Sequence, residues 1–338
     1  MKSEYSKKET FFGKMQALIL TLKFFIILGM RIGYPCINLS INCKADRRFR
    51  LQNLTEDKFD NTVLNNLECL RRILLWNLER GILFFRITSN LIPFASHRKN
   101  PYDWEKKFSG IFKEIAFLIN HSNIRISMHP GQFTVINSPK DSVVENALQE
   151  LHYHLRLFKL LEVDSNAKIQ IHVGGVYGDK QVSIDRFLKN YEKLPSDLKK
   201  HLVIENDEKN YTISECIKIS KKCGVPVVLD VLHHELNGDG MDILEAFLEI
   251  QETWHSSHGP PIVDYSSPSR EKRHGAHNVT LDEKHFISFL EKFYKFKFDL
   301  MLELKDKEKS ALKALQIINQ RFPNIKPNNV DTITTKTT

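Results

Sequence analysis

Between residues 30 and 320 short apolar runs alternate with longer segments of helical periodicity, and this alternation constrains the fold more than any other feature. The candidate strands are MRIGYPC (30–36), ILFFRIT (82–88), IRISMH (124–129), KIQIHV (168–173), HLVIEN (201–206), VPVVLD (225–230), PPIVDY (260–265) and FDLMLE (298–303). Runs that are apolar on both faces fit strands covered on both sides. Between them, Val63–Leu78, Trp104–Ile119, Asn146–Leu161, Ile213–Cys223 and Phe286–Tyr294 repeat apolar residues with the 3.6-residue helical period. Eight such units in about 290 residues predict a single α/β domain, a (β/α)8 TIM barrel, in preference to a doubly wound sheet. Units six and seven have the least regular helices. No G-x-G-x-x-G or G-x-x-x-x-G-K-[ST] occurs, so no nucleotide cofactor is expected.

The residues that end these runs carry the chemistry. Six of the eight finish in His129, His172, Glu205, Asp230, Asp264 and Glu303. In a barrel, the C-terminal strand ends are where catalytic groups sit. One such residue reads as an ordinary cap or turn, but six converging on one mouth would gather several negative charges in a half-enclosed site, costly without cations. Two histidines and four carboxylates suit Mn²⁺, Zn²⁺ or Mg²⁺, and the absence of cysteine disfavours a thiolate site. Glu205, lying between the histidine pair and the acidic set, can bridge two ions as in two-metal phosphoryl chemistry. Asp230-x-x-His233 adds a ligand just past strand six, and His277 in the following loop can join His233 at a third ion. His234 is expected to face elsewhere.

Charge and cysteine usage bound the partners. Of the net +8, residues 1–29 (five lysines against two glutamates) hold +3 and residues 321–338 hold +2, leaving a body of only +3. Such a body permits nucleic-acid binding without demanding it. Cys36, Cys43, Cys69, Cys216 and Cys223 are odd in number, scattered and free of any C-x-x-C pair, so unpaired thiols in a reducing, cytoplasmic setting are expected. Residues 1–29 contain an apolar stretch interrupted by Lys23, too short to span a bilayer and lacking a small-x-small cleavage site. They read as an extension from an upstream start codon, with Met30 the functional start; a membrane tether and a helix packed on the domain are the other readings. Residues 30–320 form the barrel domain, and 321–338, rich in Asn, Thr and Pro, read as a loose tail.

The stretches MRIGYPCINLS, FRITSNLIPFASH, SMHPGQFTVINS, IQIHVGGVYGDK, LVIENDEK, LDVLHHELN, PPIVDYSSPS and DLMLELKDKEKS together resemble the UV damage endonuclease family over residues 30–316. The resemblance implies a TIM barrel related to endonuclease IV that nicks DNA immediately 5′ to cyclobutane dimers and 6-4 photoproducts, opening an alternative excision repair route. It implies up to three divalent ions, usually manganese, double-stranded lesion-bearing DNA as substrate, a monomer without an obligate protein partner, and a nucleoid-associated location. Carried over by position, His129, His172 and Glu205 would hold one ion. Glu205, Asp230, Asp264 and Glu303 would hold a second, and His233 with His277 a third. Catalysis would rest on Glu205, His129, Asp230 and Glu303. Two departures stand out: some members have a modified lysine and a histidine where this chain has Ile262 and Asp264, and Phe133 replaces a tyrosine.

The implied reaction is hydrolysis of one phosphodiester, leaving a 3′-OH and a 5′-phosphate. Photoproducts stack and pair poorly, so extruding them costs less than extruding normal bases. By resemblance Gln132 and Phe133 would wedge into the gap, with Tyr34 and Asn38 lining the lesion pocket. Phe133 also reads as plain loop burial, and Tyr34 as a barrel-core aromatic. Arg47, Arg48, Arg50, Arg98 and Lys99 form basic loop clusters suited to phosphates or to a solvated surface. A metal-dependent sugar isomerase, an abasic-site endonuclease and a non-catalytic damage sensor are the competing readings.

Overall fold

A computed structural model of the protein describes residues 30–268 and 276–322. Eight parallel strands close into a barrel in chain order, with β8 pairing back to β1. They are β1 (Ile32–Pro35), β2 (Phe84–Ile87), β3 (Arg125–Met128), β4 (Lys168–His172), β5 (Leu202–Glu205), β6 (Val227–Asp230), β7 (Ile262–Tyr265) and β8 (Asp299–Leu302), each inside its expected run. The helices are α1 (Glu56–Glu79), α2 (Trp104–Lys107), α3 (Ser109–His121), α4 (Asp141–Leu160), α5 (Lys180–Glu192), α6 (Ser196–His201), α7 (Ile213–Cys223), α8 (Val231–Leu236), α9 (Ile243–Gln251), α10 (Glu283–Phe293) and α11 (Glu308–Arg321). The proposed extension, residues 1–29, and the tail beyond Phe322 lie outside the described residues. No helix among the described residues is long and apolar enough to cross a membrane.

Local chemistry explains the boundaries. In α7 the Thr212 hydroxyl accepts from the Glu215 amide while the Glu215 carboxylate accepts from the Thr212 amide. Gly224 ends that helix in the left-handed conformation, φ 77°, that only glycine adopts cheaply. The segment expected as one helix over 104–119 is two, because the chain leaves helical geometry at Phe108, φ −102° and ψ 15°.

Two correlated cores follow from the strand alternation. Outward residues such as Phe85, Ile126, Ile169, Ile204, Leu229 and Val263 pack with the helices in the main core. Phe84, Val203, Val228, Ile262 and Met301 form a separate cluster with Trp254, a plug inside the lumen. One step of two residues along β2, β5, β6, β7 and β8 leads from this plug to Arg86, Glu205, Asp230, Asp264 and Glu303. The plug thus supports the floor of the mouth, and Ile262 belongs to that floor.

The expectation of five unpaired cysteines is corrected at one pair. Cys43 and Cys69 form a disulfide joining the loop after β1 to α1. Their 26-residue separation carries no motif; the loop folding back along the helix brings them together. Cys36, Cys216 and Cys223 are free.

Candidate metal centre at the barrel mouth

The C-terminal ends of β3 to β8 bring the candidate ligands together. His172 and Glu205 are register partners on β4 and β5, as are Asp230 and Asp264 on β6 and β7. Three overlapping groups have ligand atoms close enough to share an ion: His129, His172 and Glu205; Glu205, Asp230 and His233; and Asp230, Asp264 and Glu303. Glu205 belongs to the first two, the bridging position expected for it. His233 and His277, the pair expected at a third ion, have ring centroids 6.3 Å apart. His233 joins Glu205 and Asp230 in the second group, while His277 lies beside Glu303, at 3.8 Å, and outside the three groups. Asp230 is the N-cap of α8, whose first turn carries His233 over the strand ends.

Hydrogen bonds orient these ligands and leave specific atoms free. His129 Nδ1 donates to the Pro130 carbonyl at 2.9 Å, and His233 Nδ1 donates to the Asn206 carbonyl at 3.1 Å. A carbonyl only accepts, so each Nε2 is left as the coordinating nitrogen, the arrangement usual for metal-bound imidazole. Asp230 Oδ1 caps α8 by accepting from the His233 amide at 2.8 Å. Asn206 braces the same residue, accepting from its amide and donating to its carbonyl. Gln170 Nε2 donates to Glu205 Oε2 and Asp264 Oδ2, both at 2.6 Å. Glu205 Oε1 then lies 2.6 Å from His129 Nε2 and 3.3 Å from His172 Nδ1, yet it and His172 Nδ1 are buried without a hydrogen bond.

The electrostatics are those of a site short of positive charge. Burial pushes Asp230 well above the carboxylate range, against the pull of His233. Burial likewise lifts Asp264 to about 7 even beside Arg86. Burial opposes protonation of His233, but Asp230, Glu205, Glu303 and Glu208 outweigh it and raise that imidazole to about 9. Burial would also raise Glu205, yet His172 and His129 hold it well below the usual range. Four buried or half-buried carboxylates face one arginine, and bound cations would restore the balance. Orphaned oxygen and imidazole nitrogen atoms with no thiolate fit divalent ions of borderline to hard character.

Comparison with known proteins agrees with this architecture. The family model described as UV-endonuclease UvdE matches residues 30–333. The chain belongs to the UV-endonuclease family. A relative from Clostridium perfringens, named UV DNA damage endonuclease, is 38% identical over 293 residues, 86% of this chain and 71% of that protein. The crystal structure of SacUVDE superposes with a TM-score of 0.83 at 42% identity, covering 86% of this chain and 98% of that one. Endonuclease IV from Thermus thermophilus shares the fold, with a TM-score of 0.52 at 15% identity over 86% of this chain and 98% of its own.

Around this UV-endonuclease centre the other expected residues divide. A groove of about 410 Å³ runs from His172 past Gly174 and Gly175 to Gln132, Phe133 and Tyr177. Phe133 is 82% exposed, so the loop-burial reading fails. Tyr34 and Asn38 do not line an open pocket. Tyr34 is fully buried, its hydroxyl donating to Asn77 Oδ1 at 2.6 Å and accepting from Asn38 Nδ2 at 2.9 Å. Asn38 Oδ1 in turn accepts from the Ser40 and Ile41 amides. The pair is a core aromatic and a loop brace, because Tyr34 sits on the outward face of β1 against Phe85 and α1. Arg47, Arg48, Arg50, Arg98 and Lys99 are exposed; Arg98 pairs with Glu145 at 3.1 Å. His234 is turned away, Nε2 donating to the Met241 carbonyl.

Sequence reasoning passed over Arg86, Gln170, Asn206 and Tyr177. The signal for the first two was a polar residue inside an otherwise apolar run, FFRIT and KIQIHV. Tyr177 sits at φ 51°, with its ring over Gly175 and under Arg186. Next to it, Gly174 has φ 120°, and a Cβ there would lie 2.2 Å from Asn137 Oδ1, so this turn requires glycine.

Proposed function

We propose that this chain is a divalent-metal-dependent endodeoxyribonuclease that cuts one strand of duplex DNA immediately 5′ to a UV photoproduct, handing the nick to excision repair. The observation that carries the reading is the orphaned Glu205–His172 pair, buried in a ring of carboxylates and opening into a groove that ends at an exposed phenylalanine. The first two ligand groups would hold the ions, with Glu205 common to both. Ions bound there, manganese by the family's usage, supply a water acidic enough to ionise near neutral pH and positive charge against the phosphate.

The protein's own residues do the rest. Asn206 and Gln170 keep Asp230 and Glu205 in place when a phosphate binds. Gln132 and Phe133 line the groove, where an aromatic face can fill the space left by an extruded dinucleotide. Base–aromatic stacking of this kind is worth about 1–3 kcal/mol per base. The exposed arginines after β1 suit backbone phosphates flanking the lesion.

The test is incision of a duplex carrying one thymine dimer, beside undamaged and abasic duplexes, with Mn²⁺ or EDTA. A Mn²⁺-dependent nick directly 5′ to the dimer is expected. Cleavage of the abasic duplex alone would reassign the pocket to abasic sites, and no cleavage with retained lesion binding would leave a damage sensor.

A further inference from the structure

We propose that Arg86 is the built-in cation of the barrel mouth, taking the place of a divalent ion in the Asp230, Asp264 and Glu303 group. The proposal rests on the metal-centre reading above and deepens it. Of the three ligand groups, Asp230, Asp264 and Glu303 form the one that Arg86 enters. Its Nη2 lies 2.9 Å from each Asp264 oxygen and 3.0 Å from Gln170 Oε1, while Nη1 donates to Glu303 Oε1. Asp264 Oδ2 also accepts from Gln170 Nε2. Both Asp264 oxygens are therefore engaged, within a residue that is itself fully buried. An ion in this group would have to displace a guanidinium that keeps its charge at any working pH and has no water to move into, being 3% exposed on β2.

The same contacts make Arg86 a positioning residue for the remaining ligands. Because Gln170 Oε1 accepts from Arg86, the Gln170 amide nitrogen is forced towards the carboxylates. It takes Glu205 Oε2 and leaves Oε1 facing His129 and His172. Arg86 thereby selects which Glu205 oxygen an ion meets. Asp264, which the sequence puts among the ligands, becomes the anchor of that arginine.

Counting bound Mn²⁺ by elemental analysis, after equilibrium dialysis of the full chain without DNA, decides the matter. The same number of ions is expected for the wild type, for Arg86→Lys and for Asp264→Asn. Arg86→Gln should gain one further ion, because the vacated acidic group then needs a cation. Loss of an ion in Asp264→Asn, or an unchanged count in folded Arg86→Gln, would each overturn the proposal. Should Arg86→Gln fail to fold, the wild-type and Asp264→Asn counts decide alone. No bound ion at all would sink the metal-centre reading itself. Bound ions without incision of dimer DNA would remove the nuclease reading and leave Arg86 in its place.

Discussion

At the N-terminal end of the barrel Arg31 and Arg125 converge on Asp299, at 2.9 and 2.8 Å, and Lys168 lies alongside. The remaining Arg125 nitrogens donate to the Asn166 and His258 carbonyls, and Nη1 also reaches that of Pro260. Lys168 Nζ donates to the Lys200 carbonyl and to His258 Nδ1, both at 2.8 Å. At the C-terminal end, beyond the plug, His172 Nδ1 and His277 Nδ1 are buried without a hydrogen bond, and Glu205 Oε1 faces only the His129 and His172 imidazoles. The same alternation of inward residues builds both ends. Where the protein supplies every partner, the charge is structural; where it withholds them, the charge is addressed to something that must bind. The difference between a strut and a site lies in unmet hydrogen-bonding capacity.

The largest expected effect sharpens the mouth's side of this contrast. Glu205→Gln keeps shape and Gln170's neighbourhood but removes the shared anionic ligand. Several kcal/mol of charge stabilisation at about 1.4 kcal/mol per decade gives a loss of about 10³-fold in incision. A parallel fall in bound Mn²⁺ should accompany it, with the melting temperature hardly altered. Full incision by this variant after metal-depleting dialysis would break the assignment of Glu205. The mirror experiment belongs to the base. Asp299→Ala strands two arginines and should cost about 3–5 kcal/mol of folding stability in urea denaturation. The folded fraction should still bind Mn²⁺ in the wild-type number. If that variant lost ions while keeping its stability, the two ends would not be separable in the way proposed.

The residues that could be read directly are those where a strand's apolar run stops. His129, His172, Glu205, Asp230, Asp264 and Glu303 declare themselves because a polar side chain terminates a both-faces-apolar pattern, and barrel topology then places such ends on one rim. Arg86, Gln170, Arg125 and Lys168 sit inside the runs, where a single polar residue among apolar neighbours looks like noise. Only the lumen, which gives each inward position its own depth, turns them into layers. Tyr34 was open between pocket and core, since strand one's facing depends on register with β2 and β8, which is not a local property. His277 reaches the rim through a loop, and the Cys43–Cys69 bond through a fold-back, neither of which has a spacing rule.

Lys168 provides the smallest and most selective way to probe the base. Burial, followed by the nearby Arg125, lowers its amine to about 6, against Asp164, which favours the charge. In the unfolded chain a lysine keeps its proton up to about pH 10.4. Between these values the unfolded state binds one more proton than the native state, so stability should rise with pH by up to about 1.4 kcal/mol per unit. Below about 6 both states are protonated and this contribution no longer changes. The neighbouring His258 is lowered to about 4, by burial first and then by Lys168, and so does not titrate in that window. Lys168→Met removes the titrating group while keeping a long side chain against Trp254. Urea midpoints at pH 7 and pH 9 should therefore climb in the wild type and climb less in the variant, with incision of dimer DNA the same in both at either pH. Equal slopes would mean that Lys168 stays charged inside the barrel, held by the Lys200 carbonyl and the Trp254 ring, and the base would then be a charged strut in place of a neutral one.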